Sequence, residues 1–121
     1  MSIPIITFTN STNAISTVKT CTVVFSVDED FIEFEARGTM EGNRYGHGVG
    51  LLINSMSILS PNYYSKDTNY TFVITSDNLT LGDGQYRISL YAKNKDGIWS
   101  DAVAFMWDSD SSHGWDNAIW I

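Results

Sequence analysis

Tyr86 to Ser100, YRISLYAKNKDGIWS, constrains the fold of this chain more than any other stretch. Tyr86, Ile88, Leu90 and Ala92 alternate with Arg87, Ser89, Tyr91 and Lys93. Successive side chains leave a strand on opposite faces, so this is the period-two pattern of a half-buried β-strand. Gly82-Asp83-Gly84 leads into it and Asn94-Lys95-Asp96-Gly97 leads out, and both are turn-forming sequences. A strand so framed, near the end of a chain of about domain size, suggests a β-sandwich.

The same rhythm recurs. Ile3–Phe8 reads as a first strand, followed by a turn at Asn10–Asn13. Cys21–Val27 puts Cys21, Val23, Phe25 and Val27 on one face. Phe31–Arg37 points Ile32, Phe34 and Ala36 inward and Glu33, Glu35 and Arg37 to solvent, as in a sheet with one wet face. Gly38–Gly50 holds five glycines and reads as a loop, with a short edge strand over Val49–Ile53 and irregular chain over Ser55–Lys66. Thr68–Thr75, Tyr86–Lys93 and Asp101–Trp107 complete the set. Aromatic and β-branched residues abound and helix-forming runs are absent. The expectation is an all-β domain of about seven antiparallel strands over residues 1–107. Residues 108–121 form a C-terminal tail that starts polar and ends apolar. Such an end packs on the domain or on a partner, which makes Trp115, Ile119, Trp120 and Ile121 interface candidates. Trp115 and Ile119 stand four apart, the spacing of one amphipathic turn.

Charge excludes several functions. The net charge is −7, and Lys19, Arg37, Arg44, Lys66, Arg87, Lys93 and Lys95 are dispersed along the chain. A nucleic-acid groove needs clustered cations, and an anionic membrane surface repels such a chain. No apolar run approaches the roughly 18 residues of a membrane span. The one cysteine, Cys21, allows no intrachain disulfide, and its apolar neighbours predict a buried, inert thiol. Met1-Ser2-Ile3-Pro4 lacks the basic and apolar regions of a signal peptide. From these features alone the expected location is cytoplasmic or cell-associated.

Chemistry is sparse. No nucleophile elbow, zinc-protease motif or phosphate loop is present, and His47 and His113 lie among glycines and serines. Glu33 and Glu35 share a wet face about 7 Å apart, a spacing that suits acid/base work on a sugar, against a default of a solubilising outer face. The reading is non-enzymatic, with no catalytic residue and no cofactor. Asp28 and Asp30, with Asp96 and Asp101, are oxygen ligands from adjacent turns and so weak calcium candidates, against a default of a solvated acidic tip. Tyr45, Tyr63 and Tyr64 in loops, with Trp99 in a hairpin, are candidates for stacking on sugar rings.

Tyr86, Ile88, Leu90, Ala92, Asn94, Gly97 and Ser100 stand in a register that resembles the penultimate strand and closing hairpin of fibronectin type III and related immunoglobulin-like domains. Tyr86 occupies the strand entrance, where those families place a tyrosine corner. The run FSVDEDFIEFEARGTMEGNRYGHGVGLLI, followed later by GDGQYRISLYAKNKDGIWSD, is similar to immunoglobulin-like modules of bacteriophage tail and baseplate proteins. That resemblance spans Thr20 to Phe105; the paired cysteines of antibody domains are absent. It implies an immunoglobulin-like β-sandwich acting as a structural or interaction protein, a small virion or tail-associated component used for assembly or host-surface contact. The partners it implies are other virion proteins, further copies of the chain, or a cell-surface glycan. A carbohydrate-binding module using the loop aromatics is the alternative.

Overall fold

The computed structural model describes residues 2–14, 19–40, 50–75, 85–108 and 117–120. They form eight strands: β1 (Ile6–Ala14), β2 (Lys19–Val27), β3 (Phe31–Met40), β4 (Leu51–Ser57), β5 (Tyr70–Thr75), β6 (Gln85–Asn94), β7 (Val103–Asp108) and β8 (Asn117–Trp120). Two sheets result, one ordered β1-β2-β5 and the other β4-β3-β6-β7-β8. All pairings are antiparallel. The all-β expectation holds: seven strands lie within residues 1–108, and the tail adds an eighth. No helix among the described residues is long and apolar enough to cross a membrane.

The alternating faces meet between the sheets. Cys21, Val23, Phe25 and Val27 of β2, Phe72 and Ile74 of β5, and Tyr86, Ile88, Leu90 and Ala92 of β6 are all buried, as the alternation requires. Phe25 of the first sheet stacks on Phe34 of the second, with ring centroids 4.0 Å apart. Phe8 meets Phe105 at 5.6 Å and so fastens β1 to β7. Truncating a ring in so close a packing costs about 3–5 kcal/mol, from lost transfer energy and the cavity left behind.

Several local expectations are corrected. Asn10–Asn13 is not a turn: β1 runs straight through it, pairing Asn10 with Val23 and Asn13 with Thr20. Turn propensity is a weak local preference, and here a continuous ladder against β2 overrides it. The first strand accordingly begins at Ile6 rather than Ile3. β4 continues to Ser57, so Ser55–Ser57 is strand, paired with Glu33–Glu35. In β3 the alternation breaks at its start. Phe31 faces Asn94 while Glu33 faces Lys93, leaving Ile32 as the extra residue of a bulge. Ile32 is therefore only half-buried, and Phe31 is the residue wholly inside. β6 is not half wet either. Ser89 and Tyr91 are buried on its outer face, where β3 sets Arg37 and Glu35 opposite them and β7 sets Ala104 opposite Ser89. The tail is extended over Asn117–Trp120, rather than the amphipathic turn that the Trp115–Ile119 spacing allows, because it adds to the edge of β7. The loop expected between Gly38 and Gly50 lies mostly outside the described residues.

Candidate functional site

One end of the sandwich collects three connections: the β2–β3 turn, the β4–β5 segment and the β6–β7 hairpin. Asn94, at the end of β6, is 2% exposed and ties the hairpin to the β2–β3 turn and to the N-terminal segment. Its Oδ1 accepts from the Asp96 and Ile98 amides at 3.0 and 2.9 Å. Its Nδ2 donates to the Ser2 carbonyl at 3.3 Å and to Glu29 Oε1 at 3.2 Å. The hairpin beyond it closes with the Gly97 amide donating to the Asn94 carbonyl, and Gly97 takes φ +84°. Only glycine enters that region without a steric penalty. Ser100 then returns to β6: its amide donates to the Ala92 carbonyl, and its Oγ accepts from the Ala92 amide at 3.0 Å.

The acidic turn is fastened just as firmly. Asp28 exchanges two bonds with Ile5: its amide donates to the Ile5 carbonyl, and its Oδ1 accepts from the Ile5 amide at 2.8 Å. Asp30 Oδ1 accepts from the Lys66 amide at 3.0 Å, and Oδ2 lies 3.5 Å from Lys95 Nζ. The β4–β5 segment is pinned to β3 by reciprocal bonds between Phe31 and Tyr64 and by the Ile58 amide donating to the Ile32 carbonyl. Between these connections lies an open hollow of about 220 Å³, lined by Asp28, Glu29, Asp30, Lys66, Asn94, Lys95 and Asp96. Its lining carries both signs of charge, which suits polar contact with a partner surface.

The sequence candidates divide. Asp28, Asp30 and Asp96 do come to one hollow, but Asp28 and Asp30 each accept a backbone amide, and Asp30 also pairs with Lys95. Among the described residues, no group of three or more His, Cys, Asp or Glu is placed to hold a metal ion. Asp101 lies apart from that hollow, beside Ile3, Pro4, Ile5, Ile6 and Val103. Tyr63 is 46% exposed, with Lys95 Nζ 4.4 Å from its ring centroid. Tyr64 serves the scaffold instead: its ring packs on Phe31 at 5.1 Å and its hydroxyl donates to the Ser57 carbonyl at 2.9 Å. Trp99 is half-buried, pairs with Lys93 in an isolated bridge, and has Lys93 Nζ 5.6 Å from its ring. Tyr45, His47 and His113 lie outside the described residues.

Glu33 and Glu35 are engaged in ion pairs on the sheet surface, with Lys93 at 3.4 Å and Arg37 at 3.2 Å. Cys21 is fully buried, and burial pushes its thiol up to about 11, with the Asn10 side chain opposing. Of the tail candidates, Ile119 and Trp120 lie in β8, opposite Met106 and Phe105, while Trp115 and Ile121 lie outside the described residues. Two features escaped sequence reading: Leu59, 84% exposed on the β4–β5 turn, and the hub role of Asn94. Leu59 sits beside Ser60-Pro61-Asn62, and that turn signal is the only cue that it projects. No family model matches the chain, and no curated protein and no solved structure matches it.

Proposed function

We propose that this chain is a non-enzymatic structural and interaction protein: an immunoglobulin-like, fibronectin type III-like β-sandwich serving as a small phage-type virion or tail-associated component. The observation that supports the fold in this reading is the strand order, while the virion role rests on the resemblance of the Phe25–Ile53 and Gly82–Asp101 runs. With β1, β2, β3, β5, β6 and β7 taken as strands A, B, C, E, F and G, one sheet is A-B-E and the other holds C-F-G, with β4 beside C. That partition is the one expected of an immunoglobulin-like sandwich, and it supports the reading. Tyr86, buried at the entrance to β6, stands where the tyrosine corner belongs.

Contact is assigned to the end formed by the β2–β3 turn and the β6–β7 hairpin, the end that variable domains use for recognition. Its connections are braced by hydrogen bonds before any partner arrives, which lowers the ordering cost of binding. Leu59 and Tyr63 are exposed beside it and supply apolar anchors. The test is to purify particles from the culture that encodes the chain and probe them with an antibody against it. A 13.5 kDa band that copurifies with particles, and is lost on Leu59→Ser/Tyr63→Ala replacement, supports the reading. A chain found only in the free protein fraction overturns it. The sugar-binding alternative rests on Tyr63 and Trp99, since the Tyr64 ring is spent on packing. Glycan-array binding abolished by Tyr63→Ala would favour that alternative.

A further inference from the structure

Charge is distributed over the strands in an unusual way. The strands that end a sheet, β1, β4, β5 and β8, contain no Asp, Glu, Lys or Arg. Every interior strand contains at least one: Lys19 in β2, Glu33, Glu35 and Arg37 in β3, Arg87 and Lys93 in β6, Asp108 in β7. Proteins that must stay apart usually do the reverse and guard their edges with lysine, proline or bulges. The four edges are not equally open. β4 meets β3 through a register shift between Ala36 and Arg37, which bends it. β8 is only four residues long, and β1 lies against it along one side of the sandwich. β5 remains. It is YTFVIT, paired in unbroken register with β2 from Thr20↔Thr75 to Phe25↔Tyr70, with no described strand on its other side.

The outer face that β5 shares is also without charge. Thr9, Val24 and Thr71 form one cross-strand row, and Ser11, Thr22 and Val73 the next. Thr71 and Val73 are exposed, Val73 to 49%. We propose that two copies of this chain associate through β5, antiparallel across a two-fold axis, so that the three-stranded sheets join into one of six strands. The second copy is the occupant that the charge pattern selects. In a two-fold contact each strand meets itself, so any charge on it would lie near its own like. Self-association of a chain of net charge −7 is favoured where that repulsion is absent, and β5 meets the condition along its whole length. An antiparallel pair of six-residue strands supplies about six main-chain hydrogen bonds, and the short Thr and Val side chains lose little rotamer freedom on contact. The inference stands apart from the virion reading, because it needs only the edge strand.

The test is sedimentation velocity on the full chain from micromolar to millimolar concentration, with hydrogen exchange read in parallel. Mass should rise from 13.5 kDa toward twice that value, and the Tyr70–Thr75 amides should gain protection as it does. Val73→Lys places like charges near one another across the axis and should weaken association about tenfold or more. Thr9→Lys, on the same sheet face but two strands away, should leave association unchanged. A chain that stays monomeric throughout overturns the proposal, as does a dimer indifferent to Val73→Lys. Equal weakening by Thr9→Lys would mean face stacking and would also overturn it. Should Val73→Lys fail to fold by circular dichroism, the wild-type exchange data decide: dimers without added protection in β5 refute the contact.

Discussion

Replacing Asn94 by alanine removes four hydrogen bonds: two within the hairpin, from the Asp96 and Ile98 amides, and two that join it to Ser2 of the N-terminal segment and to Glu29 of the β2–β3 turn. Each such bond is worth about 0.5–1.5 kcal/mol net. Asp96 is exposed, so water replaces the lost acceptor there, and Glu29 likewise recovers part of its loss from solvent. The Ile98 amide and the Ser2 carbonyl recover less, and a small cavity remains where the 2%-exposed side chain sat. The sum is about 2–3 kcal/mol. At about 2.1 cal/mol/K of unfolding entropy per residue, 121 residues carry about 0.25 kcal/mol/K, so Tm should fall by roughly 8–12 °C. Lys95→Ala, one residue along, is the control. Its ion pair to Asp30 spans 3.5 Å with the lysine side chain 51% exposed, and solvent-screened pairs of that kind contribute at most a few tenths to one kcal/mol. Thermal and urea unfolding followed by circular dichroism measure both variants. A drop below about 3 °C for Asn94→Ala, or one matched by Lys95→Ala, would refute the assignment of Asn94 as the hub.

Ser100→Ala strips the buried Ala92 amide of its side-chain acceptor and should cost about 1–3 kcal/mol by urea titration, whereas Ser100→Thr should restore most of it. Gly97→Ala meets nothing within 4 Å, so its penalty of about 1–2 kcal/mol is purely that of the left-handed backbone, and Gly97→Asn should lose less. The Cys21 thiol, raised from 9.0 to about 11 by burial, should resist a thiol reagent at mildly alkaline pH in the native state and react at once in denaturant. Because the unfolded chain releases that proton first, stability is full below pH 9 and falls as pH rises through 9 to about 11; Cys21→Ala should flatten that decline.

The core was legible because it follows a single rule. Wherever the ladder is regular, as in β2 and β5, alternation names the buried residues correctly; in β6 it names the inner face but not Ser89 and Tyr91, which the flanking strands cover. It fails where geometry departs from the rule. A bulge at Ile32 shifts Phe31 into the core, and no local signal in Phe31-Ile32-Glu33 announces it. Asn10–Asn13 looks like a turn because asparagine and serine bond their own backbone readily. Only pairing with residues 20–23, a tertiary fact, makes it strand. The hairpin register of Asn94, Gly97 and Ser100 was visible as a pattern, but its meaning was not. Asn94 reaches Ser2, 92 residues away, and no sequence window spans that contact. Asp28, Asp30 and Asp96 meet at one end as the turns suggest, but Asp101 does not join them, and the engagement of Asp28 and Asp30 with backbone amides depends on loop paths that composition does not encode.

The extra residue in β3 bears on how such a protein can change over generations. Loss of Ile32 would leave Phe31-Glu33-Phe34 in plain in-out-in order, so the core would keep its parity through a one-residue deletion in a central strand. What the deletion would disturb is the bent start of β3, from which Phe31 and Ile32 grip Tyr64 and Ile58. The scaffold and the presentation of the Leu59–Tyr63 segment are therefore separable by a single codon, so lineages can vary the rim while inheriting the interior unaltered.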